Sequence, residues 1–274
     1  MNIKNSKISV IEKRGGVVMK IVNGISMLDL EMNMAGNKQV IHPTLLHDEQ
    51  HAVLVDVGMP GSLDEIKAFM EKAGVPLDHL DAVILTHQDI DHIGSIQEVI
   101  KAAGKSIDVY AHAEDQPYIE GGKVPIKMTP EWNTQMLSRL PKEMREQAEE
   151  MLPAPTSAKV TKVVSDGDVL PFFGGVQVIF SPGHTPGHIS LYHQSSKTLI
   201  AGDATVSIEG ELLGPKPTAT PDMPLALESL KKFTGFDIVR VICYHGGLVE
   251  NDVNEQFKNL CHPSRYAVLK ENAR

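Results

Sequence analysis

A chain of 274 residues, 42% hydrophobic and 22% charged, has the composition of an ordinary globular protein, with room for one large α/β domain and a sizeable core. Its net charge of −9 argues against nucleic acid or an anionic membrane as the main partner, and no apolar run reaches the roughly 18–20 residues of a membrane span. Cys243 and Cys261 are too few for a disulfide framework, and no secretory signal is visible, so the expected location is cytoplasmic with reduced thiols.

Residues 1–18 are polar and show no clear period. Lys13-Arg14-Gly15-Gly16 can be encoded as a purine-rich stretch resembling a bacterial ribosome-binding site a few codons before Met19. The regular strand pattern is expected only after Met19. Translation is therefore expected to start at Met19, with 1–18 a disordered or spurious extension and 19–274 the domain; an intact mass of the native protein decides this. Residues 21–32, 38–46 and 51–57 read as strands of a meander, with turns at Ala35-Gly36-Asn37 and His47-Asp48-Glu49-Gln50. Residues 62–73 read as a helix with Ser62 as N-cap and Gly74 past its end. A buried strand over 82–86, a helix over 95–103 ending at Gly104, and a strand over 107–111 follow.

The stretch 112–160 reads as a helical insertion. Pro130 and Pro141 fit the first turns of two helices. Trp132, Met136, Leu140, Met144, Ala148 and Met151 form an apolar stripe. Such a stripe is core or subunit interface, or else a lid whose flexible thioethers shape an apolar pocket, with Pro117, Tyr118 and Ile119 at its entrance. Strands near 160–164, 168–172, 176–181, 189–193, 198–202 and 238–243 and a helix over 224–233 complete the pattern. It implies a mixed α/β sandwich rather than a doubly wound parallel sheet.

Five apolar β-type runs each lead into a residue suited to a metal site: 52–55 into Asp56, 82–86 into His87, 176–181 into His184, 198–202 into Asp203 and 239–244 into His245. If these strands are neighbours, their ends converge on one rim, and rigid strands can hold ligands in place. The densest cluster is His87-Gln88-Asp89-Ile90-Asp91-His92. Alternate positions of an extended segment point to one side, so His87 and Asp89 can hold one ion, and a turn at Asp91-His92 can aim that pair at a second. Gly94 is expected to let the backbone bend before the next helix. Imidazoles mixed with carboxylates suit zinc, iron or manganese. The plainer reading is that the cluster caps the helix at 95. Asp56 can be a turn residue, His188 a structural donor, and His112, His193 and His262 ordinary.

The set VDVG, THQDIDH, PGHTPGH, AGDA and YHGG resembles, in order and separation, the motif series of the metallo-β-lactamase superfamily. The usual cluster is H-x-H-x-D-H, and here Asp89 stands where the second His is expected. The resemblance covers nearly the whole chain from about Ile21 and implies an αββα sandwich with the site at one edge of two mixed sheets. It implies His87, Asp89 and His184 on a first metal, Asp91, His92 and His245 on a second, and Asp203 bridging them. Asp56 and His188 would support these from behind. Two divalent ions are implied, zinc first, with iron or manganese as alternatives. A bridging hydroxide would then attack a polarised carbonyl, and Asp91 or a bound water would pass the proton to the leaving group.

The expected activity is hydrolysis of a small ester-like bond in a lactone, thioester or carboxylic ester. Asp203 in place of a cysteine argues against a true β-lactamase. Val206, where lactonases of this fold often carry Tyr, weakens a lactonase reading, and the short stretch after His245 weakens a glyoxalase II reading. The rival class is diiron redox chemistry on oxygen or nitric oxide with an external electron donor. A persulfide dioxygenase, a metal sensor and a nuclease fit less well.

Overall fold

Short runs rich in Val, Ile and Leu between turn residues become strands here. The computed structural model describes residues 9–12, 17–34, 37–138 and 154–262, with Lys142, Arg145 and Glu149. In chain order come β1 (Ser9–Glu12), β2 (Val17–Val22), β3 (Ile25–Leu28), β4 (Leu30–Met34), β5 (Asn37–Ile41), β6 (Thr44–His47), β7 (Ala52–Val55) and α1 (Leu63–Lys72). Next are β8 (Ala82–Ile84), α2 (Ile90–Ile93), α3 (Ile96–Ala102), β9 (Asp108–His112), α4 (Gln116–Ile119), α5 (Pro130–Ser138) and β10 (Lys162–Val164). The second half holds β11 (Val169–Leu170), β12 (Val176–Phe180), β13 (Ile189–His193), β14 (Thr198–Gly202), β15 (Val206–Ile208), β16 (Glu211–Leu213), α6 (Met223–Phe233), β17 (Arg240–Cys243), β18 (Gly247–Val249) and α7 (Val253–Leu260).

Two mixed sheets form the body, one in the order β1-β2-β3-β6-β7-β8-β9-β10 and the other β11-β12-β13-β14-β17-β18. The first is antiparallel as far as β7 and parallel from β7 to β10. In the second, β14 and β17 are parallel and the remaining pairs antiparallel. Alternation of side chains along each strand gives every sheet two apolar faces. On β7, Val53 and Val55 face the other sheet with Ile84, Val178, Leu191 and Ile242. Leu54 faces the helices with Ile66, Phe69 and Val99. On the far side, Leu199 and Val241 pack against Leu227, Phe233 and Phe257 of α6 and α7. Three apolar interfaces thus join four layers, an αββα sandwich with two mixed sheets. Each fully buried Leu, Ile or Phe contributes roughly 1.5–3 kcal/mol to holding the layers together.

Several local expectations are corrected. Regular pairing begins before Met19, since β1 pairs with β2 and β2 starts at Val17. The run 21–32 is three strands, broken by a turn at Asn23-Gly24 and again at Asp29. Residues 38–46 divide at His42-Pro43, because Pro43 has no N–H for the ladder. Ser62 stands at the start of α1 but its side chain makes no cap bond. Gly94 is helical (φ −53°, ψ −46°), so it provides no bend. It is needed for close approach, since a Cβ there would lie 2.3 Å from Pro60 N. The β15–β16 hairpin, β18 and α4 gave no signal strong enough to be read.

In the insertion, Pro130 opens α5 as expected, and no residue of α5 is buried, so Trp132 and Met136 are not core. Ile119, read as an entrance residue, is buried in the core instead. Leu140, Pro141, Met144, Ala148 and Met151 lie outside the described residues. No described helix is long and apolar enough to cross a membrane.

Candidate metal centre

Strands β7 and β8 are parallel neighbours, as are β14 and β17. Strand β12 is antiparallel to β13, which is antiparallel to β14, so β12 and β14 run the same way. All five runs therefore end on one rim. Asp56 follows β7, His87 lies three residues past β8, and Asp91 and His92 sit in α2 with Asp89 at its N-terminus. The β12–β13 loop carries His184 and His188, Asp203 follows β14, and His245 lies between β17 and β18.

The structure brings these residues into two groups: His87, Asp89, His184 and Asp203, and Asp91, His92 and His245. In the first, Asp89 Oδ2 is 3.2 Å from His87 Nε2 and 3.0 Å from His184 Nε2. In the second, His245 Nε2 is 3.2 Å from Asp91 Oδ2. Asp203 reaches both, with Oδ2 3.2 Å from His184 Nε2 and 3.5 Å from His245 Nε2, and Oδ1 3.3 Å from His92 Nε2. The capping reading fails: the helix near 95, α3, has Ser95 at its N-cap position, and Asp89, at that of α2, makes no cap bond and faces the two imidazoles.

Three histidines are held by Nδ1 so that Nε2 faces inward. Asp56 accepts from Thr86 N, Thr86 Oγ1 and His92 Nδ1, each at 2.8 Å. Because Thr86 Oγ1 donates to Asp56, it accepts from His87 Nδ1 at 3.0 Å. Thr220 Oγ1 likewise donates to Lys216 O and accepts from His184 Nδ1 at 3.3 Å. Such partners orient an imidazole and select its tautomer. Asp56, at φ +60°, is thus a buried acceptor and not merely a turn residue. His188 points elsewhere: its Nε2 accepts from Asp203 N at 2.9 Å and its Nδ1 meets Ser181 Oγ at 2.9 Å. His193 serves the far end of its strand, bonding Ser196 Oγ and Phe173 O.

Inward-facing atoms are then left over. Among the described residues, His87 Nε2, Asp89 Oδ1, His92 Nε2 and Asp203 Oδ1 are buried side-chain atoms without a hydrogen-bond partner. An unpaired buried polar atom costs about 1–3 kcal/mol, so four in one place call for a ligand of their own. Imidazole nitrogens and carboxylate oxygens are donors that divalent cations accept. The residues present fit such ions.

The electrostatics divide the two groups. Burial alone would lower the pKa of His245, but Asp203 and Asp91 push it up to about 10. His92 is likewise held well above the usual range by Asp56, Asp203 and Asp91 against the effect of burial. His184 goes the other way, lowered to about 4 by burial and by Lys127. Burial raises the carboxyls of Asp89 and Asp203, but Lys127 and His87 at the first, and His245, His92 and His184 at the second, bring both well below the usual range.

Besides Thr220, four further contributors went unread in the sequence. Thr86 links Asp56 to His87, and Tyr244 stacks on His92 with ring centroids 3.7 Å apart while its hydroxyl donates to Asp91 O. Asp115, fully buried, accepts from Gln88 N and Gln88 Nε2 at 3.0 Å and from Thr185 Oγ1 and Gly187 N at 2.7 Å. It joins the loop of His87 to the loop of His184. Gly187 must lack a Cβ to let it in, since one would lie 2.4 Å from Asp115 N. Lys127, from the insertion, contacts Asp89 Oδ2 and His184 Nε2. Thr86 and Tyr244 adjoin ligand-type residues and were open to suspicion; Asp115 and Lys127 carried no local signal.

Fold and site together define a metal-dependent hydrolase. The sequence pattern described as the metallo-beta-lactamase superfamily matches residues 39–245, and the chain belongs to that superfamily. It is 32% identical over 213 residues to the probable metallo-hydrolase YflN of Bacillus subtilis (strain 168), covering 73% of this chain and 78% of that one. A hydroxyacylglutathione hydrolase of Francisella philomiragia is 22% identical over 70% of this chain, which spans 57% of that protein's length. A crystal structure of a metallo-beta-lactamase family protein from Thermus thermophilus superposes with a TM-score of 0.66 at 21% identity, covering 88% of this chain and 79% of that one. At that identity the likeness shows the fold.

Proposed function

We propose that the protein hydrolyses a small ester-like bond (a lactone, thioester or carboxylic ester) at a centre holding two divalent cations. The observation that carries this reading is the set of unpartnered inward atoms shared between two donor groups with Asp203 between them. His87, Asp89 and His184 would hold one ion, and Asp91, His92 and His245 the other, with Asp203 common to both. When bound, such ions acidify a water and polarise the scissile carbonyl. Zinc is the first choice; the carboxylate at Asp89 favours manganese or ferrous iron more than a third imidazole would. Asp91 is half-buried and its carboxyl lies below the usual range, since His92 and His245 outweigh the effect of burial. It is therefore an ionised acceptor, able to take the proton of the attacking water on the carboxylate oxygen not turned towards His245 and return it to the leaving group. His188 keeps Asp203 in place through its backbone. The similarity to a hydroxyacylglutathione hydrolase supports an acyl compound as substrate, and free Cys243 and Cys261 are in keeping with a cytoplasmic setting.

A groove of about 490 Å³ supports an apolar group on that substrate. Tyr118, Val124, Ile126, Trp132 and Pro221 are among the residues lining it. It adjoins the centre on the His184 side, because Pro221 follows Thr220 and Ile126 precedes Lys127. This favours the lid reading of 112–160. Trp132→Ala is expected to raise KM for esters with an apolar acyl group about tenfold while metal content stays unchanged. Loss of folding or of an oligomer in place of a KM change points to the interface reading.

Metal uptake is expected to release protons from the second group. His245, pushed up to about 10, is doubly protonated in the metal-free protein at pH 7 and must lose a proton to become a ligand; the carboxylates around His92 raise it in the same direction. His184 is already neutral there. Calorimetric titration in buffers of different ionisation enthalpy should show at least about one proton released per chain at pH 7, with affinity rising as pH climbs towards 10. Uptake without proton release contradicts the assignment of the second group. The reading as a whole is tested by metal analysis of protein grown without added metal, followed by assay against lactones, thioesters and aryl esters. A chain that binds no metal, or turns over none of the three, overturns it.

A further inference from the structure

Lys127 lies on the 3₁₀ turn Ile126–Met128 that precedes α5. The turn is docked by its neighbour: Ile126 N donates to Gln88 Oε1 at 2.9 Å, and Gln88 Nε2 donates to Asp115. The insertion is thereby tied to the loop that carries Asp89. From this turn the Lys127 side chain, only 14% exposed, donates to Asp89 Oδ2 and, at 2.6 Å, to His184 Nε2. Those are the two atoms on which the first group converges, for Asp89 Oδ2 also faces His87 Nε2 and His184 Nε2 also faces Asp203 Oδ2. An ammonium has three donors and no acceptor, so at His184 Nε2 it uses the single lone pair that a metal ion would need. The two cations cannot share that pair, and at Asp89 the ammonium holds Oδ2 and leaves only Oδ1 unpartnered.

We propose that Lys127 is a built-in counter-cation for the Asp89–His184 side of the centre, which a metal ion must displace on entering. Loading of the first group is then an exchange of ammonium for metal, and it moves the turn that bears Lys127. The charge balance gives the reason for such a device. Asp89 adds a carboxylate where the superfamily's usual cluster has a neutral imidazole, and a buried carboxylate without a partner is costly in the metal-free chain. Lys127 supplies that partner from within the protein. The cost falls on the metal, whose affinity is lowered by the factor that separates the paired from the released state.

The proposal rests on the reading that this centre binds metal, and the test separates the two. Metal-free wild-type protein, Lys127→Met, Lys127→Arg, Asp89→His and the double variant are titrated with zinc and with manganese against a chromophoric chelator. Lys127→Met should tighten one of the two binding constants about tenfold and leave the other alone, while Lys127→Arg, which keeps the charge, stays near wild type. In the Asp89→His background the gain from Lys127→Met should fall below about twofold, because the carboxylate that holds the ammonium is gone. Amide exchange over residues 124–131 should rise when metal is added to wild type and stay level in Lys127→Met. Lys127→Gln replaces Lys127→Met if the latter does not fold, and the wild-type exchange measurement stands without either. Equal or weaker metal binding in the charge-removed variant overturns the proposal, as does unchanged exchange in wild type. A chain that takes up no metal in any form overturns the metal reading instead.

Discussion

Asp203→Ala is expected to strip the centre of bound metal and to lower kcat/KM by on the order of 10³-fold or more. Its two carboxylate oxygens face His92 on one side and His184 and His245 on the other, so under the proposed two-cation function one deletion would remove a donor from both groups. A Lewis-acid ion is worth several kcal/mol to a transition state, and each 1.4 kcal/mol is a factor of ten in rate. The fold should survive, because the residue's anchoring bond is from its backbone N–H to His188 and not from its side chain. Metal content by mass spectrometry, circular dichroism and the rate on the best ester substrate check the three parts. A variant that keeps two ions and full activity refutes Asp203 as the shared ligand.

Asp115→Ala should damage the protein by another route. Its carboxylate satisfies Gln88 N, Gln88 Nε2, Thr185 Oγ1 and Gly187 N inside the molecule. Removing it leaves those donors unpaired in the interior, at about 1–3 kcal/mol each before relaxation. With partial relaxation, a loss of about 4 kcal/mol is expected, which for a chain of this size lowers Tm by roughly 10 °C. The loops of His87 and His184 lose their common tie as well, so metal affinity should fall by about 10–100-fold. Asp115→Asn, which keeps one acceptor, should lie between. Thermal melts of metal-free protein and chelator competition measure the two effects separately. A variant with wild-type Tm and affinity means that Asp115 does not tie the loops.

Much of the centre was legible because its signals are local along the chain. His87, Asp89, Asp91 and His92 fall within six consecutive residues, and His184, Asp203 and His245 each follow a short apolar run, rich in β-branched residues or bounded by turn residues, that reads as a buried strand. Strand periodicity and residue type therefore determine both the sandwich class and the ligand-type residues at its rim, and they carry the family resemblance too. Strand ends were less legible: the breaks at Gly24 and Pro43 fall inside stretches whose hydrophobicity reads as continuous. Gly94 was misread for a related reason, since the approach of Pro60 that demands a glycine comes from another segment. Tertiary structure alone decided that Asp115 ties two loops and that Lys127 meets Asp89 from 38 residues away. Neither residue has a neighbour in sequence that hints at its partner, because a buried ion pair between distant segments is set by how layers and insertion pack, and that packing leaves no period in the chain.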